Sequence, residues 1–393
     1  MRVLITGEIL ANCATGVEQY TLQLVRALVR QNDVDVTVLV PTAKAAECLP
    51  EGVHRVIHKP LAGTFAPAYW AFPPKGLQRF DLIHCPTART PFLRKPAGVK
   101  LVMTIHDLVP LATPNYHKPS YRTYFTAVLP HLLRQCDMLI VDSNATHADL
   151  ARFFDVPSHM VRTIPAAGRW PANGHEPVAE PERYLLAVGT LEPRKNLARV
   201  LRAFVQVKKQ LPELPDRLLI AGRPGWGNVE GELLLKNRQD ISWLGYVPDD
   251  DLKELYRKAQ ALVYPSLYEG FGMPVLEAMN LGCPVITSDR SSLPEVAGNA
   301  ALYVDPESVE SIALAMRRIL TQSFLRRELS ELGFQQAAKF SWERCAAETV
   351  EVYQHVLATP TTGDPPSTPA RPRGARKKPG ATAAAEPRPA TRE

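Results

Sequence analysis

The chain has 393 residues, 45% hydrophobic and 22% charged, more than one typical domain and enough apolar material for two large cores. Six cysteines, at positions 13, 48, 85, 136, 283 and 345, form neither a Cys-x-x-Cys pair nor a dense framework, so a zinc ribbon and a disulfide scaffold are excluded and a reducing compartment is expected. The net charge is +6, but residues 360–393 alone carry +4 of it, so the rest of the chain is nearly balanced and no nucleic-acid partner is expected.

In chain order, residues 1–7 read as a short strand and not as an export signal, and no run approaches the roughly 20 apolar residues of a spanning helix. A cytosolic protein, peripheral at a membrane at most, is expected. The turn Gly7-Glu8-Ile9-Leu10 lacks the Gly-x-Gly-x-x-Gly spacing of a dinucleotide site, and Gly225-Trp226-Gly227 has Glu230 where a third glycine would fall, so an oxidoreductase is set aside. Thr15-Gly16-Val17-Glu18-Gln19-Tyr20 opens a helix. Strands are predicted over 2–6, 36–40, 81–84, 101–105, 138–142 and 161–165. His106 follows the fourth directly; His84 and Cys85, at another strand end, read as packing residues. Asn144-Ala145-Thr146 fits a glycosylation sequon, yet without export it reads as a helix start after Ser143. The Pro- and Gly-rich polar stretch 168–177 is the expected linker.

A second set of strands is predicted over 184–189, 218–221, 241–244, 261–264, 284–287 and 301–304. Strand and helix alternating twice over implies two parallel sheets covered on both faces. After the first strand of this set, Glu192-Pro193-Arg194-Lys195-Asn196 leads into a helix with an apolar stripe of Leu197, Val200, Leu201, Phe204 and Val205. Cations there oppose the helix dipole, at a cost of about 0.3–1 kcal/mol each when exposed, unless an anion sits between them and the backbone. By contrast Asp249, Asp250 and Asp251 begin the next helix with the sign the dipole prefers. They are explained as helix capping and not as a metal-binding Asp-x-Asp, and no His pair has ligand spacing, so no metal is expected. The segment Glu269-Gly270-Phe271-Gly272-Met273-Pro274-Val275-Leu276-Glu277 runs from a loop into a helix, with Pro274 in the first turn and Gly282 past the end. Its glycines allow close backbone approach, and its helix start offers unpaired N–H groups to a diphosphate. The flanking carboxylates suit hydroxyl groups, so the ligand expected is a nucleotide sugar. A helix from Ser341 with Trp342, Val350, Tyr353 and Leu357 on one face follows. The tail 360–393 has no Val, Ile, Leu, Met or aromatic residue and is expected to be disordered, a solvated appendage or a weak contact to anionic lipid.

Residues 189–196, Ala221-Gly222-Arg223, Leu244-Gly245-Tyr246-Val247 and the two glutamates followed by Gly282-Cys283-Pro284-Val285-Ile286 resemble the carboxyl-terminal half of family-four retaining glycosyltransferases. Thr15 to Tyr20, Thr104-Ile105-His106-Asp107-Leu108-Val109-Pro110 and Val141-Asp142-Ser143 resemble that family's bacterial mannosyltransferase-like branch. The likeness covers about residues 1–358. It implies a GT-B architecture, two doubly wound parallel-sheet α/β domains facing across a cleft: an acceptor-side domain over 1–168 joined by a returning helix at 341–358, and a nucleotide-sugar domain over 178–340. Arg194 and Lys195 would stabilise the departing diphosphate and Glu277 would take the ribose diol. Glu269 and His106 would grip the sugar, Gly16 and the Gly270, Phe271, Gly272, Met273 turn would receive the phosphates, and Arg223 and Val247 would edge the base. The expected reaction moves a hexose, with mannose preferred, from a GDP- or UDP-sugar to a glycan or lipid-linked glycan of a bacterial surface polysaccharide. Configuration is retained and no further cofactor is needed. A nucleotide-sugar epimerase or a non-catalytic nucleotide-sugar-binding protein on the same architecture stays open.

Overall fold

The computed structural model describes residues 1–10, 16–58, 74–114, 119–171, 181–214, 216–225 and 239–359. The first sheet comprises β1 (Arg2–Thr6), β2 (Asp35–Val40), β3 (His54–Ile57), β4 (Leu82–Cys85), β5 (Lys100–Ile105), β6 (Met138–Val141) and β7 (Val161–Thr163). Their order is β3-β2-β1-β4-β5-β6-β7. The second holds β8 (Tyr184–Val188), β9 (Arg217–Ala221), β10 (Ile241–Gly245), β11 (Ala261–Tyr264), β12 (Val285–Ser288) and β13 (Ala301–Val304), ordered β10-β9-β8-β11-β12-β13. All pairings are parallel. Central strands such as β4, β5, β11 and β12 are buried along their whole length, because helices cover both faces and each side chain must be apolar or paired. The predicted strands are all present. β3 is the one the sequence does not announce: it is an edge strand, mostly exposed, so His-Arg-Val-Ile needs no apolar run there.

In each sheet the strand order reverses once, beside β1 and β4 in the first and beside β8 and β11 in the second. Loops leaving the carboxyl ends at such a point splay apart and leave a crevice. The loops after β8 and β11 carry Arg194, Lys195 and Glu269, so topology brings these three to one opening, and the packing of the first domain against Gly270 adds His106 from the loop after β5.

The helix Trp342–Ala358 starts at Ser341, whose hydroxyl accepts the Arg344 N–H at 3.1 Å. It packs on the helix Gly16–Leu28 of the first domain. There the Tyr353 hydroxyl lies 2.6 Å from His84 Nδ1, while His84 Nε2 meets Thr104 Oγ1 at 2.8 Å. Burial pushes the His84 pKa down to about 3, so a neutral ring with one donor and one acceptor nitrogen pins the last helix to β4. His84 and Cys85 are packing residues, both fully buried.

Residues 168–171 form a packed crossover. Trp342 Nε1 donates to the Gly168 carbonyl (2.9 Å) and Asn280 Nδ2 to the Trp170 carbonyl (2.7 Å). The remainder of the expected linker, 172–177, and the tail 360–393 lie outside the described residues, as does Cys13.

The two domains meet closely. Ser143 Oγ and Thr146 Oγ1 donate to the Gly270 carbonyl at 2.6 and 3.2 Å, and the Tyr268 hydroxyl donates to Asp149 Oδ2 at 2.7 Å. The backbone N–H groups of Asn144 and Ala145, which open the helix Asn144–Phe153, donate to the two carboxylate oxygens of Glu295 at 2.8 Å each. A carboxylate at a helix N-terminus satisfies orphan donors and complements the dipole. Here it comes from the opposite domain.

Candidate active site

A cavity of about 370 Å³ opens between the domains. Its walls include every residue singled out in the sequence: Gly16 and His106 from the first domain, and Arg194, Lys195, Arg223, Val247, Glu269, Gly270, Phe271, Gly272, Met273 and Glu277 from the second. Glycine is required at two of them. A Cβ on Gly270 would sit 2.0 Å from the His106 carbonyl oxygen, and Gly272 has a φ of 111°, a region that other residues rarely enter. Gly16 is not forced by sterics, since a Cβ there would meet only Met273 Sδ, at 3.9 Å.

The basic pair differs from expectation. Arg194 and Lys195 form a single 3-10 turn, Pro193–Lys195, ahead of the helix Leu197–Gln210, and Asn196 between them is left-handed (φ 63°). They therefore do not sit in the helix's first turn. Both are also paired within the protein: Arg194 Nη1 donates to Glu269 Oε2 at 2.6 Å and its Nη2 pairs with Glu192, while Lys195 Nζ donates to Glu269 Oε1 at 2.8 Å. The Tyr264 hydroxyl adds a bond to Glu269 Oε1 at 2.9 Å and also meets Lys195 Nζ. The formal charge of Arg194, Lys195, Glu192 and Glu269 is thus zero. The physical reason is burial. Two cations this far from water would be costly to bury without counterions, and Glu269, 6% exposed, supplies one. Burial alone would raise its pKa, but Arg194 and then Lys195 outweigh that and hold it down at about 2. Donor capacity nevertheless remains. Arg194 Nε is buried with no acceptor, and Lys195 has spent two of the three N–H bonds of an ammonium. Glu269 accepts three bonds of about four that a carboxylate can take.

Glu277, one turn into the helix Met273–Asn280, is 2% exposed. Its neighbours are looser: the Tyr256 hydroxyl donates to Oε2 at 3.3 Å, and Arg169 Nε lies 3.4 Å from Oε1. Burial raises the Glu277 pKa, and Arg169 only partly offsets it. Arg169 also donates through Nη1 to Asp249, so Asp249 anchors a cation as well as opening its helix. Sequence reasoning placed Arg169 in the linker, and no local pattern marks it.

His106 lines the cavity, but both ring nitrogens are engaged, Nδ1 with Asp142 Oδ2 at 2.5 Å and Nε2 with the Pro86 carbonyl at 2.9 Å. Burial would lower its pKa; Asp142 and the Pro86 carbonyl prevail and raise it, so an imidazolium donating from both nitrogens fits. Neither ring nitrogen is left free in this arrangement. Tyr20, edge-on to His106 at 4.5 Å, has a buried hydroxyl with no partner. At the far end Arg223 stacks over Tyr246 at 4.5 Å, beside Val247. Tyr20, Asp142, Arg169, Tyr246 and Tyr264 are among the wall residues to which sequence reasoning gave no role. Among the described residues no cluster of three His, Cys, Asp or Glu side chains could hold a metal ion, and no helix is long and apolar enough to cross a membrane.

Comparison with known proteins fits this geometry. Residues 170–336 match the family described as Glycosyl transferases group 1, and residues 14–167 match Glycosyltransferase Family 4. The chain belongs to this glycosyltransferase family and has the GT-B architecture. It is 29% identical over 381 residues to an O-antigen chain mannosyltransferase B of Escherichia coli, covering 90% of this chain and 100% of the relative. To the O-antigen chain mannosyltransferase RfbU of Salmonella typhimurium it is 31% identical over 243 residues, 58% of this chain and 67% of the relative. Among solved structures, Anabaena HepE in complex with UDP and glucose superposes with a TM-score of 0.68 at 15% identity, covering 90% of this chain and 100% of HepE. At that identity the likeness speaks to fold alone.

Proposed function

We propose that this glycosyltransferase transfers a mannosyl group from a nucleoside-diphosphate donor, GDP-mannose before a UDP-sugar, to a glycan or lipid-linked glycan of a bacterial surface polysaccharide, with retained configuration and without a metal ion. One observation carries the reading: twelve residues from both domains, predicted for a nucleotide sugar, line a single interdomain cleft. The mannosyltransferase names of the relatives support the sugar and the acceptor class.

In this reading the diphosphate lies against the start of the helix Met273–Asn280, whose N-cap Gly272 has no side-chain bond, so its first N–H groups meet the anion. Arg194 Nε and the remaining Lys195 N–H complete the cradle. As the glycosidic bond breaks, charge grows on the phosphate, and donors already fixed in a dry site stabilise it without reorganisation. Glu277 receives the ribose diol. Glu269, held charged by Arg194 and Lys195, spends its last lone pair on a sugar hydroxyl. His106 contributes positive charge beside the sugar, and the departing phosphate oxygen takes the acceptor's proton. Contacts between Gly270 and the first domain exclude water and suppress hydrolysis. Basic residues within 360–393 would add attraction to an anionic membrane bearing such an acceptor.

Purified protein incubated with GDP-mannose, UDP-sugars and a mannose-terminated lipid-linked acceptor tests the whole reading. The expected product is the acceptor plus one mannose, α-linked by NMR from the α-linked donor, formed equally with EDTA. Epimerised donor without acceptor, inverted product or loss of turnover in EDTA would each overturn the corresponding part. Liposome sedimentation unchanged by deleting 360–393 would remove the membrane contact.

A further inference from the structure

We propose that Arg169 is a positioning residue of the donor site: its guanidinium, anchored on Asp249, holds the buried Glu277 carboxylate charged and aimed while leaving its oxygens open to the vicinal hydroxyls of a ribose. This rests on the ribose role given to Glu277 above and adds to it the group that makes that role work.

The geometry between the two side chains is that of an ion pair without a hydrogen bond. Arg169 Nε stands 3.4 Å from Glu277 Oε1 and is a buried N–H with no acceptor, whereas its Nη1 is committed to Asp249. A guanidinium seated squarely on the carboxylate would fill the lone pairs that a diol needs. Held off at this distance it supplies attraction, which keeps the carboxylate ionised in a dry wall, and its side chain takes none of the acceptor sites left beside the Tyr256 hydroxyl bond to Oε2. The anchor is rigid. Arg169 packs its guanidinium over Trp170 at 5.2 Å, and the Gln23 side-chain amide donates to its carbonyl at 3.5 Å. Its neighbours Gly168 and Trp170 are tied to Trp342 and Asn280. The charged and titratable groups facing Glu277 are Arg169 from the crossover and Asp249 and Tyr256 from the helix Asp249–Lys258. Burial drives the Tyr256 phenol well above its usual range, so it stays neutral, and Asp249 opposes ionisation of Glu277. Arg169 is the only cation in that set.

The test uses the full chain and reads dissociation constants for GDP and UDP by calorimetry from pH 6 to pH 9, each variant as a ratio to the wild type. Arg169→Met is expected to bind the better nucleotide about tenfold or more weakly at pH 6 to 7, with the ratio returning toward one as the pH rises and Glu277 ionises unaided. The 2′,3′-dideoxy nucleotide, lacking the diol, should bind wild type and variant alike, and Arg169→Lys should keep most of the affinity. In kinetics the loss falls on the donor KM with kcat largely kept. Should Arg169→Met fail to fold, Asp249→Asn releases the anchor at a half-exposed position and is expected to raise donor KM severalfold. A ratio constant across the pH range, an equal loss for the dideoxy nucleotide, or an unchanged donor KM in Asp249→Asn would overturn the proposal. Glu277→Gln separates the two levels. If that variant binds the nucleotide as the wild type does, the ribose reading itself fails; if it binds weakly while Arg169→Met binds normally, only the role of Arg169 fails.

Discussion

Glu269 and Glu277 are one residue type on one short segment, both nearly free of solvent, at 6% and 2% exposed, yet their environments drive them in opposite directions. Glu269 has Arg194 at 2.6 Å, Lys195 at 2.8 Å and the Tyr264 hydroxyl at 2.9 Å, and its pKa falls to about 2. Glu277 has Arg169 at 3.4 Å and the Tyr256 hydroxyl at 3.3 Å, and its pKa rises. The distance to the first cation separates them, because desolvation is common to both and only close hydrogen-bonded pairing repays it. A carboxylate that is nearly saturated can anchor a cationic cluster and offer one further bond. A carboxylate left loosely held can accept two.

The sharpest way to break this contrast is to remove the close cation. Arg194→Ala deletes the bonds to both Glu269 and Glu192 and leaves Glu192, 8% exposed, without its paired cation, so about 3–5 kcal/mol of stability is expected to be lost. Transfer should fall by about a hundredfold or more, since the variant also loses a donor aimed at the phosphate. A melting temperature and turnover near those of the wild type would show that Glu269 does not depend on this pair.

Acid titration probes the same pair more gently. The folded pKa of Glu269 is depressed from 4.5 to about 2, so its contribution is present above the unfolded value and is lost as the pH falls from about 4.5 through about 2. The shift corresponds to about 3 kcal/mol. Urea unfolding at pH 6 and pH 3 is expected to show the wild type losing more stability than Glu269→Gln by about 2 kcal/mol, the part of that contribution that disappears above pH 3; equal losses would mean that the carboxylate is not held by its cations.

Much of this was legible in the sequence, because apolar strands and glycine turns are local signals. Both sheets and the turn at Gly270 to Pro274 follow from such patterns, whereas cleft residues such as His106 and Gly16 are singled out by the family resemblance. Partnerships do not. Arg194 reaches Glu269 because β8 lies beside β11, and His106 reaches Asp142 because β5 lies beside β6; neither adjacency leaves a periodicity in the chain. The sequence therefore held no sign that the protein's own carboxylates stand beside the basic pair. Arg169 was hidden for another reason. Glycine and proline around it report backbone character, which marked a connector and said nothing of where one long side chain would go.

Glu277→Gln is expected to act oppositely to the changes at the close pair. A raised folded pKa means that Glu277 favours the fold fully only below its ordinary range, and that this advantage fades as the pH rises through the folded value. An uncharged amide of the same shape escapes that penalty. The melting temperature at pH 7 should therefore hold or rise slightly while nucleotide affinity drops about tenfold. A clear fall in melting temperature would mean that Glu277 is a structural counterion like Glu269.

The smallest effect expected is at a third carboxylate, Glu295, which is exposed and whose partners are not cations but the N–H groups of Asn144 and Ala145 across the domain boundary. Bonds of this kind are worth about 1–2 kcal/mol. Glu295→Gln keeps one acceptor oxygen and turns an amide N–H toward another donor, so about 1 kcal/mol of closure should be lost, roughly a fivefold fall in the ratio of closed to open molecules. None of the cavity's wall residues is altered, so intrinsic nucleotide contacts stay intact. The change should appear as a larger radius of gyration in solution scattering and as more donor hydrolysis per transfer, with little change in melting temperature. If scattering and the ratio of hydrolysis to transfer both match the wild type, closure rests on the Gly270 contacts to Ser143 and Thr146 and the Tyr268 bond to Asp149, and the carboxylate at that helix start is merely a surface bond.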